Sequence, residues 1–456
     1  MQNSSALARR GRAVRSVALL AALGLGLSAC SGGEESAEGG SSAPEGSASA
    51  TGSPSEGSSS QGSGQEPGSS QGTGSSSGAN ESGGEGSPSS GGGAAATAGP
   101  SKPEKPANET FLREVDVVKG DIRPKSVVAN DHGKVIANNM MYQHTMTVYD
   151  ATSHELLHTI SDSVDAEEMG VEGSSGTVEG APVEAAFTED GATAYVTNYQ
   201  MYGDGFTPHG GDLCEKGEVT DHGYIYEVDV EKGAVKRAFE AGAVPKYAAL
   251  SPDEKTLLVS NWCDFDLSVI DTESGQETGR IPLGRWARGI DYAPDGTAFA
   301  TAMGTPNVYR IDPEAGTSEV FATPGDRIRH VSVSPDGKYL YVVASGAYKQ
   351  FETSRISKLD AKTGKVLGQV HTGNEPRSMD VSGDGTALYV VNYYSDTMSK
   401  IDAETMEVVQ EEPTGHHPIG ITYDDSTHKV WVASYVGSIQ VFDDTADSAQ
   451  GASAGK

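Results

Sequence analysis

Cysteine is nearly missing from this chain, with three in 456 residues. Cations are scarce too: 33 Lys and Arg stand against 64 Asp and Glu, for a formal charge of −31. Aromatic residues make up only 7%, and the one long apolar stretch, 17–27, is eleven residues. Each shortage excludes something. Three cysteines cannot staple a disulfide-dense scaffold. So acidic a chain repels phosphate backbones, so nucleic acid is not an expected partner. An eleven-residue stretch falls short of the roughly 20 that cross a bilayer. Between 31 and 100 there is no Lys, Arg, Phe, Tyr or Trp at all, and such a segment cannot bury enough apolar surface to fold.

What is present at the N-terminus reads as targeting rather than structure. Arg9, Arg10, Arg12 and Arg15 precede the apolar stretch, which ends in Leu27-Ser28-Ala29-Cys30. This string resembles the bacterial lipoprotein signal, which implies cleavage before Cys30, lipidation of its thiol and a site on the outer face of the cytoplasmic membrane. Losing those four arginines and no acid takes the charge from −31 to −35. The expected layout is a signal peptide over 1–29, a disordered Ser/Gly-rich tether over 30–107, a folded domain over 108–444 and a disordered tail over 445–456. A tether of that composition has an r.m.s. span of roughly 45–50 Å. The lipid would be the only membrane contact, and stable anchoring takes more than one acyl chain.

From residue 123 one pattern recurs: a short apolar strand, an Asp-Gly type turn, a strand ending near Val-x-Asn, a loop, and a strand ending in Ile-Asp. The terminal aspartate occurs seven times, at Asp150, Asp229, Asp271, Asp312, Asp360, Asp402 and Asp443. From Asp229 onward the gaps are 42, 41, 48, 42 and 41 residues, while the first, 79, holds an insertion. Units of this length with four short strands predict an all-β, seven-bladed propeller. The seventh unit stops after three strands, and 111–118 reads as the fourth that closes the ring and removes its open edge. Ala194–Tyr199 (AYVTNY), LLVSNW, LYVVNY and the SPDG turns resemble the YVTN-repeat, or YncE-like, propellers, a WD40-like architecture. That resemblance implies a surface or periplasmic protein of unassigned or binding function, and so bears on fold more than on chemistry.

In a propeller the loop leading to each inner strand and the loop after the second strand share one face, here called the top. The residue opening the inner strand is basic in five blades: Lys125, Lys246, Arg288, Arg329 and Arg377. Val183 and Ile419 replace it in the others, with Glu184 and His417 beside them. Five cations around a channel mouth would focus an anion, and the guanidinium fork suits carboxylate or phosphate. The alternative is repeat consensus, with each cation paired to an acid. Tyr199, Trp262, Tyr393 and Tyr435 lie beside second-strand ends near Asn138, Asn198, Asn261 and Asn392. They either stack on ring ligands or pack between blades. Cys214, in the expanded loop of blade 2, and Cys263 in blade 3 read as a disulfide pinning that loop beside the mouth.

His144, His209, His222, His330, His416 and His417 fall in or near top-face loops, but no metal is expected from them and no cofactor is marked. The segment 108–444 has no nucleophile elbow, phosphate loop or haem-attachment string. The leading reading is a monomeric, noncatalytic binding protein for an anionic cell-envelope component or a partner protein. A lactonase-type hydrolase is the first alternative, with Arg329, His330, His417 and Glu184 as catalytic groups. A scaffold for protein contacts is the second.

Overall fold

The computed structural model describes residues 105–141, 143–171, 175–199, 214–215 and 221–447. The signal segment, Cys30, nearly all of the tether and the tail from 448 lie outside the described residues. So does most of the expanded blade 2 loop, including His209. Among the described residues no helix is long and apolar enough to cross a membrane.

The strands form seven four-stranded antiparallel sheets. Their inner strands, which number the blades 1 to 7, are Ser126–Ala129, Ala181–Phe187, Pro245–Leu250, Ala287–Tyr292, Ile328–Val333, Pro376–Val381 and Pro418–Asp424. Each inner strand packs against the next, and Ser126–Ala129 packs against both Ala181–Phe187 and Pro418–Asp424. The ring is therefore closed, and the fold is a seven-bladed β-propeller.

Burial explains the strand sequences. Second strands such as Thr256–Asn261 and Ala387–Asn392 are buried almost throughout, because both faces of a blade meet a neighbour. They accordingly read as continuous apolar runs rather than alternating ones. Tyr341, Val343 and Ile356 of blade 5, for example, share one apolar cluster with Met379, Leu388 and Ile401 of blade 6. Outer strands such as Leu156–Ser161 and Val408–Pro413 are largely exposed. Six of the seven repeated aspartates sit at third-strand ends, where a carboxylate accepts backbone N–H groups of the following turn, while Asp443 lies inside the longer strand Ser438–Asp447 and accepts the Thr445 N–H at 2.9 Å. Asp360 takes Thr363 at 2.8 Å and Asp402 takes Thr405 at 2.7 Å, which is the Asx-turn role.

Blade 7 is closed by the N-terminal strand Thr110–Lys119, paired antiparallel with Ser438–Asp447. That last strand extends beyond 444, because Thr110 pairs with Asp447. The inner ring has its own fastenings. Asp291 of blade 4 accepts the Val333 N–H of blade 5 at 2.7 Å, and Asp380 of blade 6 accepts the Tyr423 N–H of blade 7 at 2.8 Å. The 79-residue gap holds a two-stranded insertion, Val164–Asp165 with Thr177–Val178.

Candidate functional site

The inner strands enclose an axial cavity of about 200 Å³ lined from all seven blades. Strand alternation decides which side chains face it. Ser126, Glu184, Tyr247, His330 and Ser378 line its upper part, and Asp291, Ser332, Asp380 and Thr422 line the part below. The basic residues stand one position earlier on their strands, around the mouth.

A repeated backbone device aims them. The residue immediately before the inner strand is Val244, Trp286, Arg327, Glu375 or His417 in blades 3 to 7, with φ between 51° and 63° in every case. Non-glycine residues rarely adopt this left-handed conformation, and such strain concentrates at functional sites. In each case its carbonyl accepts the N–H of the first residue after the second strand. Met303 to Trp286 is 2.9 Å, Tyr393 to Glu375 is 3.1 Å and Tyr435 to His417 is 3.2 Å. The two top-face loops of each blade are thereby tied together, and the following side chain turns toward the axis.

The five cations converge. Lys246, Arg288, Arg329 and Arg377 are each at least 90% buried, and Lys125 is half-buried. Burial, and then the charges of Arg288 and Lys246, hold the Lys125 ammonium well below its ordinary range. Burial, then Arg377 and Arg288, do the same to Arg329. The cations thus act on one another across the mouth.

Their counter-charges are unevenly distributed. Glu375, itself buried, accepts from Arg329 and Arg377 at 2.8 Å each and lies 3.5 Å from Arg327. Burial opposes its charge, but the three arginines keep its carboxyl below the usual range. Lys125 and Arg288 have no ion-pair partner among the described residues, and Arg288 Nε is buried without a hydrogen bond. Glu184 acts on both electrostatically; burial pushes its carboxyl up to about 7 against the pull of Lys125.

The aromatic residues serve the cations. Lys246 Nζ lies 4.6 Å from the Tyr199 ring and 5.2 Å from Trp262, Arg288 lies 5.7 Å from Trp262, and Arg377 lies 3.4 Å from Tyr393. Cation–π contact offsets part of the desolvation of those charges. Tyr199 and Trp262 are buried rather than presented to solvent. Trp262 stacks on Trp286, with centroids 5.6 Å apart. The Cys214–Cys263 disulfide joins the loops of blades 2 and 3, with Cα atoms 5.4 Å apart, and Trp286 Nε1 donates to the Cys214 carbonyl at 3.4 Å.

The four residues of the hydrolase reading are spread out. Arg329 is held by Glu375 and by Ser345 Oγ at 2.8 Å. His330 faces the channel with both ring nitrogens engaged, Nδ1 with Tyr247 Oη at 2.8 Å and Nε2 with Ser332 Oγ at 3.1 Å. Burial and Arg288 lower its pKa to about 3, so it stays neutral. His417 does not line the channel; it stacks on Tyr393 at 4.2 Å and on His416 at 3.6 Å. Glu184 sits across the channel mouth from these.

Sequence reasoning missed Glu375, Arg327, Trp286 and Tyr247. The signal was available in the strings Trp286-Ala287-Arg288, Arg327-Ile328-Arg329 and Glu375-Pro376-Arg377, where the chemistry-bearing residues alternate. It also passed over His154-Glu155-Leu156-Leu157-His158, which has the spelling of a helical zinc site. Here that string runs from a turn into an outer strand. His154 faces Asp116 at 2.9 Å, while His158 bonds the Glu231 carbonyl of blade 2 at 3.0 Å. The two rings diverge, and no metal-binding group of three occurs among the described residues.

A family profile described as the Cytochrome D1 heme domain matches residues 308–440, less than a third of the chain. Among solved structures, the Kuenenia stuttgartiensis hydrazine synthase is similar with a TM-score of 0.56 at 20% identity. The match covers 71% of this chain and 96% of that one. Identity this low shows shared fold alone. No curated protein matches the chain.

Proposed function

We propose that this chain is a noncatalytic binding protein that takes an anion at the mouth of its axial channel. It is exported, anchored through a lipidated Cys30 and held away from the membrane by its tether, in the manner of the YVTN-repeat propellers it resembles. One observation carries the reading: Arg288 and Lys125 are drawn into a crowded cationic mouth and have no carboxylate in contact among the described residues. A desolvated guanidinium with unused donors is destabilising unless a ligand completes it. Guanidinium and ammonium groups together suit carboxylate, sulfate or phosphate.

Two other chemistries find less support. An acid–base hydrolase needs a histidine near neutrality, whereas His330 is held neutral and hydrogen-bonded on both nitrogens. Haem, suggested by the matched profile's name, needs a wide slot and a free axial ligand. The channel cavity is about 200 Å³ with His330 as its one histidine, and the described residues do not fit that group.

Calorimetric titration of the chain with sulfate, citrate and inorganic polyphosphate tests the proposal. At least one anion should bind, and Arg288→Met or Lys125→Met should weaken it tenfold or more. Arg310→Gln, at an exposed pair with Glu319 on the outer strands, should leave binding unchanged. No heat from any anion, or equal loss in Arg310→Gln, sinks the reading.

A further inference from the structure

The cation ring is interrupted at blade 2, where Val183 stands in the basic position and Glu184 follows it into the channel. Among the described residues lining the upper channel, Glu184 is thus the one carboxylate. Its main-chain N–H donates to Thr197 Oγ1 at 3.1 Å, and the nearby Ser126 hydroxyl of blade 1 favours its ionised form. Lys125 of blade 1 and Arg288 of blade 4 face it, yet neither closes to an ion pair among the described residues. We infer that Glu184 is the site's internal stand-in anion: an oxyanion displaces its charge from Lys125 and Arg288, and a proton enters with that oxyanion. This rests on the anion-binding reading above and names what the same site would take.

The chemistry is a proton transfer from solvent to the Glu184 carboxylate, with no other bond made or broken. Once protonated, Glu184 becomes a hydrogen-bond donor, so the site offers an acid O–H, an ammonium and a five-donor guanidinium. That set fits an oxyanion with several acceptor oxygens better than a halide. The cavity beneath has room for roughly six waters at ~30 Å³ each, so the anionic head is small: a carboxylate, a sulfate or a phosphate.

Apart from Lys125, whose ammonium burial and its cationic neighbours hold down, the described surroundings leave Glu184 as the upper-channel group that changes charge near neutrality. Blade 3 contributes Tyr247, whose hydroxyl burial pushes up, and Lys246, which lies on its aromatic platform. Blade 5 contributes His330, neutral with its pKa near 3, and Arg329; blade 6 contributes Arg377 and Glu375, joined to each other. Blade 7 presents Gly420 and no charge. Glu184 itself titrates at about 7. Below it Asp291 and Asp380 are pushed by burial to about 7 and about 6, but both are fastened to the backbone of neighbouring blades. A protonated Glu184 favours the bound state, so affinity rises as pH falls through about 7.

Sulfate is the probe, because it does not itself titrate in this range. One linked proton predicts about a tenfold gain in sulfate affinity from pH 8 to pH 6. Calorimetry at pH 8 in two buffers of different ionisation enthalpy should report uptake approaching one proton. Glu184→Gln should bind sulfate with little pH dependence and, at pH 8, about as tightly as wild type at pH 6; Glu184→Asp should retain the dependence. Sulfate binding by wild type without proton uptake, or a Glu184→Gln profile unchanged from wild type, overturns this inference and leaves the anion reading standing. Absence of sulfate binding in wild type and Glu184→Gln at both pH values overturns both.

Discussion

Two buried cations in this propeller face opposite circumstances. Lys400, in blade 6, is wholly buried where the ring closes, and its three ammonium protons are used. It bonds Asp444 at 2.6 Å, the Thr110 carbonyl at 3.0 Å and Thr110 Oγ1 at 3.1 Å. Asp444 in turn accepts from Tyr389 and shares the Thr110 hydroxyl proton with the Ala107 carbonyl. Arg288 at the channel mouth is 93% buried by its 7% exposure, and among the described residues its five donors meet no acceptor. Lys400 and Asp444 thus have their hydrogen bonding completed at the closure seam, while that of Arg288 is left open at the mouth. Other buried atoms among the described residues also lack a partner, Trp431 Nε1 and His428 Nε2 for example, but Arg288 is a charged group at a channel mouth, where a ligand can complete it.

The most forceful way to break this comparison is at the seam. Lys400→Met leaves Asp444 buried beside two hydroxyl donors and no cation. We expect a loss of about 3–5 kcal/mol, read by urea denaturation with the buried Trp431 as reporter. Replacing Asp444 with Leu in the same chain should restore much of that loss, since an apolar pair of similar volume removes both desolvated charges. A near-neutral Lys400→Met would show that a complete network and an incomplete one are not energetically distinct here.

The seam was far more legible in the sequence than the mouth. Six aspartates from Asp229 onward, spaced 41 to 48 residues apart, with Asp150 ahead of an insertion, give the blade count, because all but Asp443 cap the same turn. The shortfall of one strand in the last unit points to the N-terminal strand for the same reason. Cys214 and Cys263 could be paired because one further cysteine, Cys30, was accounted for by the leader. The mouth was half legible. Position in the repeat identified its five cations, but not which of them Glu375 would claim. That depends on left-handed backbone at the preceding residue, and Glu375 has no propensity that announces it. The partnership of Tyr247 with His330 joins blades 83 residues apart, beyond any local signal. Periodicity misleads in the other direction at His154 and His158, whose helix-like spacing falls on a strand.

An intermediate effect is expected at the mouth's rim. The Cys214–Cys263 bridge closes a loop of 49 residues in sequence separation. Removing both cysteines by substitution with serine should lower stability by about 2–4 kcal/mol, chiefly by freeing the unfolded chain. Wild type treated with reductant should unfold at the same denaturant concentration as the double variant. A variant as stable as oxidised wild type would mean that the packing of Trp262 on Trp286 holds these loops unaided.

The smallest effect should carry the opposite sign, and it discriminates most sharply. Arg288→Met keeps a long apolar side chain over Trp262 and removes a desolvated charge that bears on Lys125 and Arg329. We expect the variant to be more stable than wild type by about 1 kcal/mol without ligand, in line with what uncompensated buried donors cost. Functional sites commonly hold residues whose removal stabilises the fold. Sulfate should then reverse the order. At one hundred times its dissociation constant a ligand stabilises its protein by about 2.7 kcal/mol, whereas a variant that binds tenfold more weakly gains about 1.4 kcal/mol at the same concentration. Denaturation midpoints of the two chains should cross as sulfate is added. If Arg288→Met instead loses several kcal/mol at every sulfate concentration, as Lys400→Met is expected to, then Arg288 is a structural cation and the mouth is a second seam.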